Sequence, residues 1–396
     1  MRFYLPKNLD LISLLKSRGL DKYCKPIHLA KFYYLIHLIY EQKVLYKNKD
    51  YVLLKASYLR YIIKEYNLFR DLLIDLKIIE CDFFYIKNKK SYGYRILAPY
   101  NTVPTEIREI NAKVISKKIK LWKEKRFPNT PVHNHLYSFL KKTSIDLEAL
   151  NEVKKFSVEK QNIYKISIDK FINKEFFLYN DNYGRIHTNI TTLKSIFRRF
   201  LLYNGTKLAC IDIKNSQPLL LFLSFQEKVQ RIRHDTILSK PKNIIYTKRC
   251  TFLDMTDDLR KYKETVEGGT LYEVMTEIVP GLDDRNDAKK YLFKEVFFGR
   301  NVCPYFRQAF PKISNYLINL KSKDYRRVSW VMQRLESKII INYACGILLQ
   351  RNPEMYLATI HDSILTTPDH VEEVKGVLLD VFSDYNVRPS FSIETY

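Results

Sequence analysis

Cysteine is sparse and scattered. Cys24, Cys81, Cys210, Cys250, Cys303 and Cys345 show no C-x-x-C spacing and have no histidine cluster beside them. This gives neither a zinc site nor a disulfide framework, and it fits a reducing, cytoplasmic setting. No apolar run approaches the roughly 20 residues of a membrane-spanning helix. The opening stretch, MRFYLPKNLD, lacks the apolar core of a secretory signal. Repeats and low-complexity segments are absent. Acidic residues are in deficit, 43 Asp plus Glu against 67 Lys plus Arg, for a formal net charge of +24. Such a surplus repels itself in a compact molecule and is most useful beside a polyanion. Nucleic acid is the first expectation and an anionic membrane surface the second. What is present is ample core material. The 396 residues are 46% hydrophobic, enough for two or three domains and far from a disordered composition. The 30 tyrosines, with abundant Lys, Ile and Asn, fit an A+T-rich genome and carry no functional reading.

Residues 27 to 100 form an ordered series of elements. PIHLAKFYYLIHLIYEQ has helical apolar spacing, and SYLRYIIKEYNLFRDLLIDLKIIE reads as two short helices. In the second, Leu68, Leu72, Leu73 and Leu76 are expected on one side. IIECDFFYIKNKKSYGYRIL then gives two strand-like runs around a basic turn, a hairpin signal. A helix, a helix-turn-helix and a basic hairpin resemble a winged-helix DNA-binding domain. In such a domain the helix near Asn67 to Leu76 would enter the major groove, and Lys87, Lys89 and Lys90 would meet phosphates. The plainer alternative is a small α+β module with a solvated basic turn. From Asn101 to about Tyr179 the chain is expected to be mostly helical and basic, with SKKIKLWKEKRF its densest cationic run.

Two aspartates stand inside apolar, strand-like segments: Asp212 in KLACIDIKNSQPLLLFL and Asp362 in YLATIHDSILTTP. Desolvating a carboxylate is costly, so each must sit in an exposed turn or be compensated by a cation. A pair of strand-borne acids suits two Mg²⁺ ions roughly 4 Å apart, the usual device for in-line phosphoryl transfer. Between them, in DDRNDAKKYLFKEVFFGR, Arg285, Lys289, Phe293 and Phe297 recur every four residues. On a regular helix they share one face. Two cations could grip a triphosphate and two rings could stack on a base or sugar. An amphipathic helix with core aromatics is the competing reading.

Taken in order, these blocks resemble motifs A, B and C of the superfamily joining family A DNA polymerases and single-subunit phage-type RNA polymerases. CIDIKNSQP is similar to motif A, RNDAKKYLFKEVFFG to the fingers-helix motif B, and IHDSILTTP to motif C in its RNA polymerase form. YNDNYGRIHT resembles the D-x-x-G-R element. GGTLYEVMTEIV falls where a helix precedes the fingers helix, and FRQAFPKISNY and MQRLESKIII follow in order. The resemblance covers about residues 179 to 396.

It implies an α+β palm, a small antiparallel sheet with helical fingers and a small thumb, preceded by a winged-helix domain. The implied divisions are 1–105 for DNA binding, 106–178 as a basic helical linker or thumb, and 179–396 for palm and fingers. By resemblance, Asp212 and Asp362 hold two Mg²⁺ ions, with Mn²⁺ as a substitute. Arg285 and Lys289 bind the incoming nucleoside triphosphate, and Lys289 protonates the leaving pyrophosphate. Phe293 and Phe297 pack on the nucleotide. Arg185 and His361 meet template or primer, and Gln333 the minor groove. The implied activity is template-directed nucleotidyl transfer on DNA, as a minimal RNA polymerase, primase or primase-polymerase of a phage or plasmid, yielding RNA or DNA. The alternatives are a family A-type DNA polymerase and a non-catalytic winged-helix initiator; a paired-acid nuclease leaves the basic–aromatic stripe without a purpose. Two departures bear on sugar choice. Phe297 stands where the family has a tyrosine, with Phe298 intervening and Gly299 one position late. Motif A carries an extra residue before Ser216 and Gln217 and has no clear counterpart to the family's ribose-excluding glutamate.

Overall fold

The computed structural model describes residues 1–43, 50–87, 90–237 and 255–396, with backbone only for 229–237. The chain is α+β: many helices with several small, mostly antiparallel sheets. No described helix is long and apolar enough to cross a membrane. Two compact units emerge. The first takes 1–128, 141–179 and 187–204; the second takes 129–140, 180–186 and 205–396.

In the first unit, the helix Pro26–Lys43 is followed by a short strand Val52–Leu53 and helices Ala56–Ile62 and Tyr66–Asp75. Strands Ile79–Cys81 and Gly93–Ile96 come next. Gly93–Ile96 lies between the other two strands and is antiparallel to both. Nine residues of Pro26–Lys43 in a row, from Phe32 to Tyr40, are buried, so this helix is a central core element rather than a surface one. The helix Tyr66–Asp75 buries Tyr66, Phe69, Arg70 and Leu73, whereas Leu68 is exposed. The buried face is thus rotated from the leucine side expected from sequence. Phe69, whose ring meets Phe32 edge-on at 4.9 Å, is what the core takes. Residues 1–105 do not close on themselves. Arg2–Pro6 pairs along its length with Thr105–Glu109, and Ile115 and Ile166 belong to the same apolar core. The basic segment beyond is helical over Lys113–Glu124 and Val158–Ile172.

The second unit is built on a four-stranded antiparallel sheet. From one edge the order is Ala358–Ile360, Ser363–Thr366, Ala209–Ile213, Phe391–Thr395. Ala209, Ile211 and Ile213 are buried while Cys210 and Asp212 are half-exposed, so the period-2 alternation sends the acid away from the apolar side. The helices Ser216–Ile237 and Val371–Ser383 leave this sheet at its connections.

Candidate active site

Antiparallel register brings the two aspartates together. Asp212 stands opposite Ser363 on one neighbouring strand and Ser392 on the other. Ile360 pairs with Ser363, so His361 and Asp362 alone make the hairpin turn. Asp362 is therefore next in chain to the residue directly across from Asp212, where opposed Cα atoms lie about 5 Å apart. The Ser363 hydroxyl donates to Asp212 Oδ1, fixing that carboxylate. His361 is exposed and holds φ at 57°, in the left-handed region that residues with a Cβ seldom adopt. Asp362 thus does sit in a turn, but a tight and half-buried one. Among the described residues no Lys, Arg or His forms an ion pair with it.

Behind Asp362 lies a small crevice with apolar walls, into which Ser216 and Glu336 also face. Glu336, 1% exposed, is the residue that sequence reasoning missed. Arg185 holds it in a two-pronged grip, Nε to Oε1 at 2.8 Å and Nη2 to Oε2 at 2.6 Å, and Gln217 Nε2 donates to Oε2 at 2.9 Å. Burial pushes the Glu336 carboxyl up to about 7; the charge of Asp362 adds to this, and the Arg185 and Gln217 hydrogen bonds oppose it. The D-x-x-G-R stretch is what aims Arg185. Asp181 Oδ1 accepts from the backbone N–H of Tyr183 at 2.8 Å and of Arg185 at 3.1 Å. Gly184 takes φ 85°, and a Cβ there would come 3.3 Å from Ser337. Arg185 is accordingly engaged with Glu336 and only 19% of its side chain is exposed. Beside the crevice, Asn215 is buried at φ 51°, and among the described residues neither its amide atoms nor the Ser216 hydroxyl has a hydrogen-bond partner.

The cationic helix begins where Asp284 caps it, Oδ1 accepting from the N–H groups of Asn286 at 2.7 Å and Asp287 at 2.8 Å. Arg285 and Lys289 are exposed on Arg285–Tyr291. Arg285 donates to Glu273 at 2.8 Å and lies 5.1 Å from the Tyr272 ring. Burial pushes the Tyr272 hydroxyl up to about 12; Arg285 counters it, and Asp362 and Asp212 reinforce it.

The four-residue stripe does not run on past Tyr291. Leu292–Phe297 is a π-helix, and Phe298 N–H donates to Phe293 O at 2.9 Å. This wider turn brings residues five apart into line, not four. Phe297 is fully buried, whereas Phe298 is 37% exposed with its ring 5.4 Å from that of Phe293. Buried Lys321 caps the turn, donating to Val296 O at 2.5 Å and Asn301 O at 2.9 Å. Gly299 follows because a Cβ there would lie 2.4 Å from Lys294 O. The late glycine noted in the sequence directly follows this wider turn.

Gln333 is half-buried and donates to Ser329 Oγ at 2.8 Å. In the first unit, Lys87 is exposed, Lys90 is held by Asp82 at 2.5 Å, and Lys89 lies outside the described residues. Among the described residues no group of three or more His, Cys, Asp or Glu could hold a metal unaided. Mg²⁺ usually takes only one or two protein carboxylates and completes its shell with water and substrate phosphate. The donor set of Asp212 and Asp362 fits that habit.

No model of a known protein family matches the chain, and no curated protein is similar to it in sequence. Among solved structures it is similar to the POL domain of Pol1 from M. smegmatis, determined in complex with DNA primer-template and dNTP. Identity is 12% and the TM-score 0.32, over 63% of this chain and 55% of that one. The chain thus spans about half of that neighbour's length, and a likeness of this degree decides neither fold nor activity.

Proposed function

We propose that the chain is a template-directed nucleotidyltransferase acting on DNA, with Asp212 and Asp362 as its metal-binding carboxylates. The observation that carries this reading is their register: one acid mid-sheet, the other in the adjoining two-residue turn. Bound there, two Mg²⁺ ions would supply activation of the attacking hydroxyl and neutralisation of the departing phosphate charge. Arg285 and Lys289 hold the triphosphate. Lys289 gives its proton to pyrophosphate as the bond from the α-phosphorus to the leaving oxygen breaks and the bond to the 3′-oxygen forms, the 3′-hydroxyl proton passing to water. Phe293 and Phe298, rather than Phe297, offer ring surface to the base or sugar. Arg185 positions Glu336 behind the turn, so its role in strand contact is through that pair. In this reading His361, exposed beside Asp362, meets the primer terminus, and Gln333 the minor groove.

The functional division we propose keeps 179–396 as palm and fingers and 106–178 as a basic, thumb-like region. It keeps 1–105 as a winged-helix element whose helix, strand, helix, helix, strand, strand order supports that reading. RNA product is favoured slightly by the His-Asp-Ser and D-x-x-G-R forms. The test is synthesis from Mg²⁺, labelled NTPs or dNTPs and primed or single-stranded DNA. Asp212→Asn and Asp362→Asn should each abolish product while leaving DNA affinity within about twofold, since affinity comes mainly from phosphate contacts elsewhere. Near-normal synthesis by either folded variant would remove the metal assignment.

A further inference from the structure

The hairpin joining Ile79–Cys81 to Gly93–Ile96 holds large apolar side chains in water. Phe83, Phe84 and Tyr85 are 54%, 56% and 58% exposed and Ile86 is 39% exposed, four consecutive residues. Contiguous apolar surface of this kind marks an interaction site. The patch is firmly mounted. At its base Asp82 Oδ1 accepts from the N–H of Phe84 at 3.0 Å and of Gly93 at 2.8 Å, while its Oδ2 accepts from Lys90 at 2.5 Å. A Cβ on Gly93 would come 2.6 Å from Asp82 Oδ2, so glycine alone lets the returning strand pass this close. Ile86 and Lys90 exchange backbone hydrogen bonds of 3.0 and 2.9 Å. Phe83 and Tyr85 both stand edge-on to Tyr92, at 5.8 and 6.3 Å.

Cations lie against the same rings. Arg70 is 5.3 Å from the Phe83 centroid and Lys90 is 4.4 Å from that of Phe84, and exposed Lys87 follows directly. Arg70 is itself paired with Asp71 and Lys90 with Asp82, so exposed Lys87 and the net charge of +24 supply the attraction. Flat rings beside that charge match a polyanion that also presents flat faces. Unpaired nucleobases do so; a duplex hides its base faces except at its ends. A purely apolar protein surface would meet these cations at a desolvation cost with nothing in return.

We propose that this hairpin is a stacking platform for unpaired nucleobases, a single-strand-binding element of the first unit that is independent of the carboxylate site. The experiment uses the full chain without Mg²⁺ and two fluorescent probes, a 20-nucleotide oligo(dT) and a blunt hairpin duplex, each titrated at several salt concentrations. Phe84→Ala/Tyr85→Ala should weaken oligo(dT) binding at least about tenfold, since a base–aromatic stack is worth roughly that much or more. Duplex affinity should change less than about twofold. The salt slope should stay as it is, because no phosphate contact is removed, whereas Lys87→Ala should lower the slope by about one. Phe84→Trp keeps a ring and should retain binding, which guards against misreading a folding defect. Equal loss on both probes would overturn the proposal. So would unchanged oligo(dT) binding by the double alanine variant, which would assign the patch to a protein partner.

Discussion

Replacing Glu336 by glutamine should flatten one part of the pH dependence of stability. The carboxyl, ordinarily near 4.5, is pushed up to about 7 in the fold. Between those values the native state keeps a proton that the unfolded chain has released. Stability from this group is therefore fully present below about 4.5 and is lost as pH rises through about 7. At 1.36 kcal/mol per unit, the swing is about 3 kcal/mol. With 1% of the residue exposed, solvent screening takes little from it. Glutamine keeps the shape and an oxygen for Arg185 but cannot titrate. The assay is urea denaturation of metal-free protein from pH 4.5 to 7.5, in a Trp122→Phe background so that Trp330 reports alone on the second unit. Relative to Glu336→Gln, the parent should lose about 3 kcal/mol across that range. Parallel profiles for the two proteins would refute the reasoning. Arg185→Met serves as the counterpart: it strands the carboxylate and should cost about 3–5 kcal/mol at neutral pH, much of it recovered in the double variant.

Lys321, pushed down to about 8 by burial, has shed its proton in the fold at pH values where the unfolded chain still holds it. Stability should rise from about pH 8 to the ordinary lysine value of 10.5, and Lys321→Met should remove that rise in a pH series of melting temperatures. Phe297→Tyr would place a hydroxyl in a fully buried position and should cost about 1–3 kcal/mol in denaturation experiments without altering nucleotide choice. Single-nucleotide incorporation should favour ATP over dATP, or the reverse, by less than about a hundredfold, because an apolar pocket discriminates weakly. Phe298→Tyr should widen that ratio; a ten-thousandfold preference in the parent would give the choice to Tyr203, Asn215 or Gln217 instead.

The acids were readable because strand alternation and an apolar flank are local signals, and both lie where a short pattern predicts a strand edge or turn. The order of elements in the first unit was readable for the same reason. Glu336 was not. In MQRLESKIII it looks like an ordinary helical surface acid, and its partner Arg185 is 151 residues away in sequence. Nor could spacing place Phe297 and Phe298, since counting by fours presumes an α-helix throughout. The late Gly299 was the only trace. The side marked by Leu68 is not the buried one, because the larger Phe69 fills the core in its place. Ser363 passed unnoticed because a serine after an aspartate carries no pattern of its own.

The π-turns at Leu292–Phe297 and Lys338–Cys345 also bear on how this chain can change length. Each holds one residue more than an α-turn spanning the same rise. Deleting a single residue there would return an ordinary helix with both ends in place, whereas a deletion elsewhere in a helix twists everything beyond it. Chain-length variation is usually left to loops. Here two helices hold a removable residue each, one before Gly299 and one just after Glu336. A library of single-codon deletions should find folded members clustered at those two turns, amid helices that otherwise tolerate none.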